Sequence, residues 1–109
     1  MADVLKVAHT NITDNTGAAV IDGASSTTYT ILSVSICEIA GNAETFSMFR
    51  TDGGASSGKK YIYFEQSIPA KATFVHNDKI VLEADDEIWV TSPSASASLD
   101  VVISYLEQT

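Results

Sequence analysis

The sequence predicts an all-β protein, an antiparallel β-sandwich or jelly-roll-like barrel of eight or nine short strands with essentially no helix. Three observations lead to this prediction. Apolar residues recur at every second position or in short runs, without the stripe of an amphipathic helix. Turn-forming residues interrupt these runs at regular intervals. Small hydroxyl residues are abundant and lysine and glutamate are few, which suits strand surfaces and turns better than helices.

Nine segments carry the strand pattern. They are residues 4–10, 18–21, 27–39, 45–51, 59–65, 73–75, 79–83, 87–91 and 99–106. Alternation places Tyr61 and Tyr63 on one face of the fifth segment, opposite Ile62 and Phe64. The same pattern predicts eight buried core side chains: Leu32, Val34, Ile36, Phe46, Ile80, Leu82, Ile88 and Val90.

Glycine, proline and small polar residues mark the connections between these segments. Asp52–Gly58 is expected to be a flexible loop, and Ser92–Ser98 a loop without large side chains. Ala84–Asp86 separates two strand segments, and we expect either a tight hairpin or a corner there.

The length of 109 residues supports one β domain over residues 1–109. We expect residues 1–25 to form an N-terminal strand and an arm-like segment, and residues 26–107 to form the sandwich core. The net charge of −8 argues against nucleic acid as a partner. The chain lacks a run of 18 apolar residues and a secretory leader pattern, so we expect neither a membrane span nor export.

No sequence motif indicates catalysis or a cofactor, so we expect a protein that is not an enzyme. Cys37 lacks a local base, and no serine lies in a nucleophile motif. His9 and His76 are too far apart in the chain to form a local metal motif, and we expect both to be surface or turn residues.

Five carboxylates concentrated within ten positions form a weak candidate for a calcium site. They are Asp78, Glu83, Asp85, Asp86 and Glu87. Calcium takes about six to eight oxygen ligands, but this spacing differs from that of the calcium-binding EF-hand loop. The alternative is a solvated turn whose carboxylates bond to nearby backbone groups. The sequence therefore predicts that no metal is required for folding.

Two strand segments carry large apolar residues on both faces, although a monomeric sandwich requires only one apolar face per strand. Tyr61 and Tyr63 lie in one of these segments, and Val102 and Leu106 lie in the other. Such strands are either central and covered, or part of a subunit interface. We therefore take these four residues as interface candidates.

Three parts of the chain resemble small virion proteins of tailed bacteriophages. In the first, residues 26–31 enter a long strand, and residues 38–46 contain a turn of the form N-x-x-x-F/V. In the second, residues 67–73 are similar to a hydrophobic-P-A-x-x-T/S step before a short strand. In the third, residues 80–90 are similar to L-E-A-G-D-x-I/L-x-V. A strand ending at residues 105–107 then closes the chain, as in that group.

The resemblance covers about residues 26–107 and implies a non-enzymatic β-sandwich component of a phage particle. It favours a capsid decoration (cement) protein that binds the major capsid protein as a homo-oligomer, with a trimer favoured by analogy. Such a protein is made in the host cytoplasm and resides in the virion. Two alternatives stay open: a tail- or fibre-associated module that binds a tail protein, and a carbohydrate-binding domain. The sequence departs from the pattern at Asp85, where glycine is usual.

Overall fold

The computed structural model describes residues 3–13, 16–53, 58–94 and 97–109. These residues form nine strands and contain no helix, which confirms the predicted fold class. The strands are β1 (Asp3–Ile12), β2 (Ala18–Asp22), β3 (Thr28–Glu38), β4 (Glu44–Arg50), β5 (Lys60–Ile68), β6 (Thr73–His76), β7 (Ile80–Leu82), β8 (Glu87–Thr91) and β9 (Leu99–Gln108).

The strands form two antiparallel sheets that enclose one apolar core. A five-stranded sheet has the order β1-β9-β3-β6, with β7 also paired to β3. A four-stranded sheet has the order β2-β8-β4-β5. Within the segment 1–25, β1 pairs with β9 along its whole length and β2 pairs with β8.

Side chains from the facing sides of both sheets fill the core. Ile31, Val34 and Ile103 come from the five-stranded sheet, and Phe46 and Ile88 from the four-stranded sheet, all without solvent exposure. Of the eight predicted core side chains, six are buried, whereas Leu32 and Ile80 are half-buried. Alternation of apolar residues was therefore a sound guide to most of the core.

A β-bulge at Leu32 accounts for the main error in the predicted core. The pairing of β3 with β9 shifts between Ile31 and Ser33, so Leu32 is an extra residue. Ile31 faces the core before the bulge, and Val34 and Ile36 face it beyond the bulge. The prediction that Leu32 is a core side chain together with Val34 and Ile36 is therefore wrong.

A second bulge places Tyr61 and Tyr63 in different environments. Phe49 of β4 pairs with Tyr61, whereas the preceding Met48 pairs with Tyr63, so Ile62 is an extra residue in β5. Tyr63 consequently packs against the core, and Tyr61 is 48% exposed. The prediction that the two tyrosines share one face is wrong because the bulge interrupts the alternation.

The chain passes between the two sheets at Asp85. Because β7 belongs to the five-stranded sheet and β8 to the four-stranded sheet, this connection is a corner and not a hairpin. Asp85 has a φ of 68°, a left-handed conformation that aspartate tolerates better than most residues. Parts of two predicted loops, residues 54–57 and 95–96, lie outside the described residues.

Glu38 is a buried carboxylate that joins two connections at one end of the sandwich. Its carboxylate oxygens accept hydrogen bonds from the backbone N–H groups of Lys71, Gly41 and Ala40, at 2.9–3.0 Å. The side chain is 1% exposed. These donors, led by the Lys71 N–H, lower the pKa of Glu38 below its usual value. Glu38 therefore fixes the β3–β4 and β5–β6 connections relative to each other.

His76 is buried in β6, which corrects the prediction of a surface or turn position. It is 7% exposed because β6 pairs with β3, opposite Val34. The hydroxyl of Tyr63 lies 2.6 Å from its Nδ1, and its Nε2 has no hydrogen-bond partner. The Tyr63 ring also contacts Phe46 and Phe74 in the core. The Tyr63–His76 pair thus connects the edge strands of the two sheets.

Replacing Tyr63 by phenylalanine is expected to destabilise the protein by about 1–3 kcal/mol. The ring packing is preserved, but the His76 imidazole then loses the one hydrogen-bond partner that it has in a buried site. Urea unfolding of the variant measures this loss. Tyr61→Phe is the matched control, because Tyr61 is exposed, and we expect its stability to change by less than about 0.5 kcal/mol.

Candidate interaction surfaces

Four aromatic side chains form a continuous cluster on the outer face of the four-stranded sheet. We call this cluster, Phe49, Tyr61, Phe64 and Trp89, the aromatic surface. Trp89 stacks on Phe49 at 6.0 Å, Phe49 contacts Tyr61 at 5.4 Å, and Tyr61 contacts Phe64 at 4.9 Å between ring centroids. Phe49 is covered, whereas Tyr61 and Phe64 are 48% and 64% exposed. The latter two rings therefore offer apolar area to a partner.

Polar groups hold the Trp89 end of the aromatic surface in place. The indole Nε1–H of Trp89 donates a hydrogen bond of 2.8 Å to Glu87, which is itself buried. Asp22 lies opposite Glu87 across the β2–β8 pair. A hydrogen bond with Glu87, and the charge of Glu87, raise the pKa of Asp22. The ionised form of Asp22 is therefore disfavoured beside the Trp89 end of the aromatic surface.

A second apolar region covers the outer face of the five-stranded sheet. We call it the aliphatic surface, and it comprises Leu5, Val7, Val75, Val81, Val102 and Leu106. The strand register places Leu5, Leu106, Thr30 and Val81 in one row across four strands. Leu5 is 73% exposed, and Leu106 is half-buried. A shallow groove of about 410 Å³ runs beside Leu5 at this end of the sheet.

The structure distributes the four interface candidates over three environments. Tyr61 belongs to the aromatic surface, and Val102 and Leu106 belong to the aliphatic surface on the opposite side of the sandwich. Tyr63 points into the sandwich and contributes no comparable exposed area. The four residues thus do not form one patch.

Sequence reasoning did not single out several exposed residues of these surfaces as interface candidates. They are Leu5, Val7, Phe64, Val75 and Val81, each at least 52% exposed. The available signal was an apolar residue at the solvent-facing position of a strand. That signal can be interpreted only when the register and the bulges are known.

Asp86 of the candidate calcium cluster is an internal structural anchor. It is 2% exposed and forms an ion pair with Arg50. Its carboxylate also accepts hydrogen bonds of 3.0 Å from the backbone N–H groups of Gly53 and Glu83. Protein groups thus occupy both carboxylate oxygens of Asp86. These contacts hold together the corner between the two sheets.

The other members of the cluster lie in different surroundings. Glu87 is buried next to Trp89, and three further carboxylates are exposed: Asp78, Glu83 and Asp85. In residues 3–13, 16–53, 58–94 and 97–109, no three histidine, cysteine or acidic side chains gather in a way that could hold a metal ion. The five carboxylates therefore do not converge on one point.

Cys37 and His9, which were considered from the sequence for catalysis and metal binding, lie on the outer face of the five-stranded sheet. Cys37 is half-buried in β3, paired with Thr73 and Asp100 in the adjacent strands. His9 is exposed on β1, opposite Val102.

Over the part of the chain that the structure describes, a helix long and apolar enough to cross a membrane is not found.

Neither the family models nor the curated proteins contain a match to this chain. Solved structures do share its fold. A chain from the structure of Bacillus endospore appendages, described as disulfide-linked pili, matches with a TM-score of 0.59 at 13% identity, covering 98% of this chain and 88% of that chain. A chain from the capsid structure of Helicobacter pylori bacteriophage KHP30 matches with a TM-score of 0.59 at 12% identity, covering 98% and 92%.

A chain of the IBDV viral particle matches more distantly, with a TM-score of 0.53 at 5% identity, covering 96% of this chain but 35% of that chain. At such low identity the likeness concerns the fold alone. The β-sandwich of this protein is thus a fold that is found in chains of viral particles and of a bacterial appendage.

Proposed function

We propose that this protein is a non-enzymatic structural component of a bacteriophage particle, a decoration (cement) protein that binds the capsid surface as a homo-oligomer. The observation that carries the proposal is the presence of two exposed apolar surfaces on opposite sides of one small sandwich. Apolar patches of this kind are typical of interaction sites. The fold shared with the KHP30 capsid chain and the resemblance to phage virion proteins support the particle as its location.

The aromatic surface is the proposed contact with the capsid. Aromatic residues are enriched at the centres of interfaces because they bury large areas at low conformational cost. Tyr61 and Phe64 supply this area, and the stacked pair of Phe49 and Trp89 supports them from within the sheet. A modest contact per copy is sufficient when many copies occupy one particle and are linked to one another.

Attachment by apolar contact predicts resistance to salt. At about 1 M NaCl the Debye length is roughly 3 Å, which screens exposed charges but leaves apolar burial intact. Particles of the phage that encodes this chain can be washed in 1 M NaCl and imaged by electron cryomicroscopy. We expect density for the sandwich on the capsid surface after the wash. Density that is present before the wash and lost after it would show that charge anchors the protein. Absence of the protein from the capsid of unwashed particles would reject the decoration role.

Two alternative functions have specific support. The likeness to the Bacillus appendage chain favours a tail- or fibre-associated module, which the same images would place on the tail. The exposed rings of Tyr61 and Phe64 favour a carbohydrate-binding domain, since such rings stack on sugars. Titration with glycans, followed by Trp89 fluorescence, tests that alternative without the particle.

A further inference from the structure

The five strands at the sheet edges differ in length and regularity. At the edges of the four-stranded sheet, β2 is five residues long with one register shift, and β5 contains two shifts. In the five-stranded sheet, β6 and β7 have four and three residues. In contrast, β1 pairs with β9 over ten residues without a shift. Short or bulged edges resist pairing with another chain, and a long regular edge does not.

The sequence of β1 contains little that would prevent such pairing. It lacks proline, and its one lysine, Lys6, forms an ion pair of 2.9 Å with Glu107 of β9. That contact holds the ammonium group over the neighbouring strand and away from the free edge. Leu5 and Val7, on either side of Lys6, are 73% and 58% exposed. The edge therefore combines unpaired backbone groups with apolar side chains.

We propose that β1 is a self-association strand that pairs antiparallel with β1 of a second copy. A ten-residue regular edge is matched best by a strand of the same length and regularity. Among the described strands, β3 and β9 are central, so β1 alone meets that requirement at an edge. Pairing of identical strands creates a two-fold axis and one continuous ten-stranded sheet across the two copies.

Charge and side-chain pairing restrict the register of this contact. A two-fold axis through Lys6 would pair two residues of like charge, which is unfavourable even though each ammonium group is directed toward its own Glu107. An axis through Leu5 or Val7 avoids this and pairs an apolar residue with its own copy. In both registers the aliphatic surfaces of the two copies join, and the exposed area of Leu5 and Val7 decreases.

The purified full-length protein tests the inference by sedimentation equilibrium, independently of any particle. We expect the wild type to dimerise and the double variant Leu5→Lys, Val7→Lys to dimerise at least about tenfold more weakly, because it places like charges at the contact. Both side chains are exposed, so the fold should be retained. A monomeric wild type, or a trimer that both substitutions leave intact, would overturn the inference.

A matched variant separates edge pairing from stacking of the two faces. Val75→Lys, Val81→Lys changes residues of similar exposure on the same aliphatic surface but far from β1 in the sheet order. Edge pairing predicts an unchanged dimer, whereas stacking predicts a loss equal to that of the β1 variant. In a Cys37→Ser background and with an added oxidant, Leu5→Cys or Val7→Cys should form a disulfide-linked dimer, and Val75→Cys should not. Crosslinking at neither β1 position would contradict the strand pairing.

Discussion

Replacing Phe64 by glutamate is expected to weaken the proposed binding of the protein to the capsid by roughly 100-fold or more. Phe64 is 64% exposed, so the substitution leaves the fold intact, but it places a carboxylate in the proposed apolar contact. An unpaired charge buried in such a contact costs about 3 kcal/mol or more, which corresponds to this loss in affinity. Cosedimentation of the variant with particles that lack the protein measures the effect.

Val81→Glu provides the control for that measurement. It introduces the same charge at a similarly exposed valine, but on the aliphatic surface on the other side of the sandwich. We expect it to bind particles as the wild type does. If Val81→Glu abolishes binding and Phe64→Glu does not, the capsid contact lies on the aliphatic surface and the assignment of the aromatic surface is wrong.

Replacing Glu38 by glutamine is expected to lower the Tm by roughly 10 °C at neutral pH. Three backbone N–H groups converge on the buried carboxylate, and the amide of glutamine would present its own donors to some of them. Calorimetry measures the change. Glu83→Gln serves as the control, because Glu83 is exposed and its Tm should change by less than about 2 °C.

The same substitution should alter the dependence of stability on pH. Because folding lowers the pKa of Glu38, its ionised form stabilises the protein above the ordinary pKa of 4.5, and this contribution disappears as the pH falls through the lower folded value. The wild type should therefore lose Tm below about pH 4.5 more steeply than Glu38→Gln. Parallel slopes for the two proteins would show that Glu38 is not the group responsible.

The number, order and approximate bounds of the strands could be predicted because alternation and turn residues are local signals. The bulges could not be predicted from the sequence. An extra residue such as Leu32 or Ile62 is visible only against the partner strand, and no local pattern records the partner. A face assigned across a single bulge is consequently reversed, which is why alternation predicts Tyr63 beside Tyr61 although Tyr63 packs against the core.

The roles of the acidic residues were equally inaccessible from sequence. Asp86 and Asp85 are adjacent and chemically identical, yet one is buried against Arg50 and the other is exposed in a left-handed turn. Their difference arises from contacts with residues more than 30 positions away. Glu38 carried a weak signal, an acidic residue just before a Gly-Asn turn, but its Lys71 donor comes from a distant connection.

The pairing of β1 with β9 has a consequence for how the chain folds. Asp3 lies opposite Gln108, so these two strands come from opposite ends of the described chain. During synthesis β1 leaves the ribosome before the other described strands, but it cannot join the sheet until β9 has emerged. Closing so long a loop is entropically costly, and folding dominated by such distant pairings is slow, on the order of milliseconds to seconds. During that interval both edges of β1 are unpaired. Because β1 lacks the short length and the bulges of the other edge strands, it is the strand of the nascent chain most prone to mispairing.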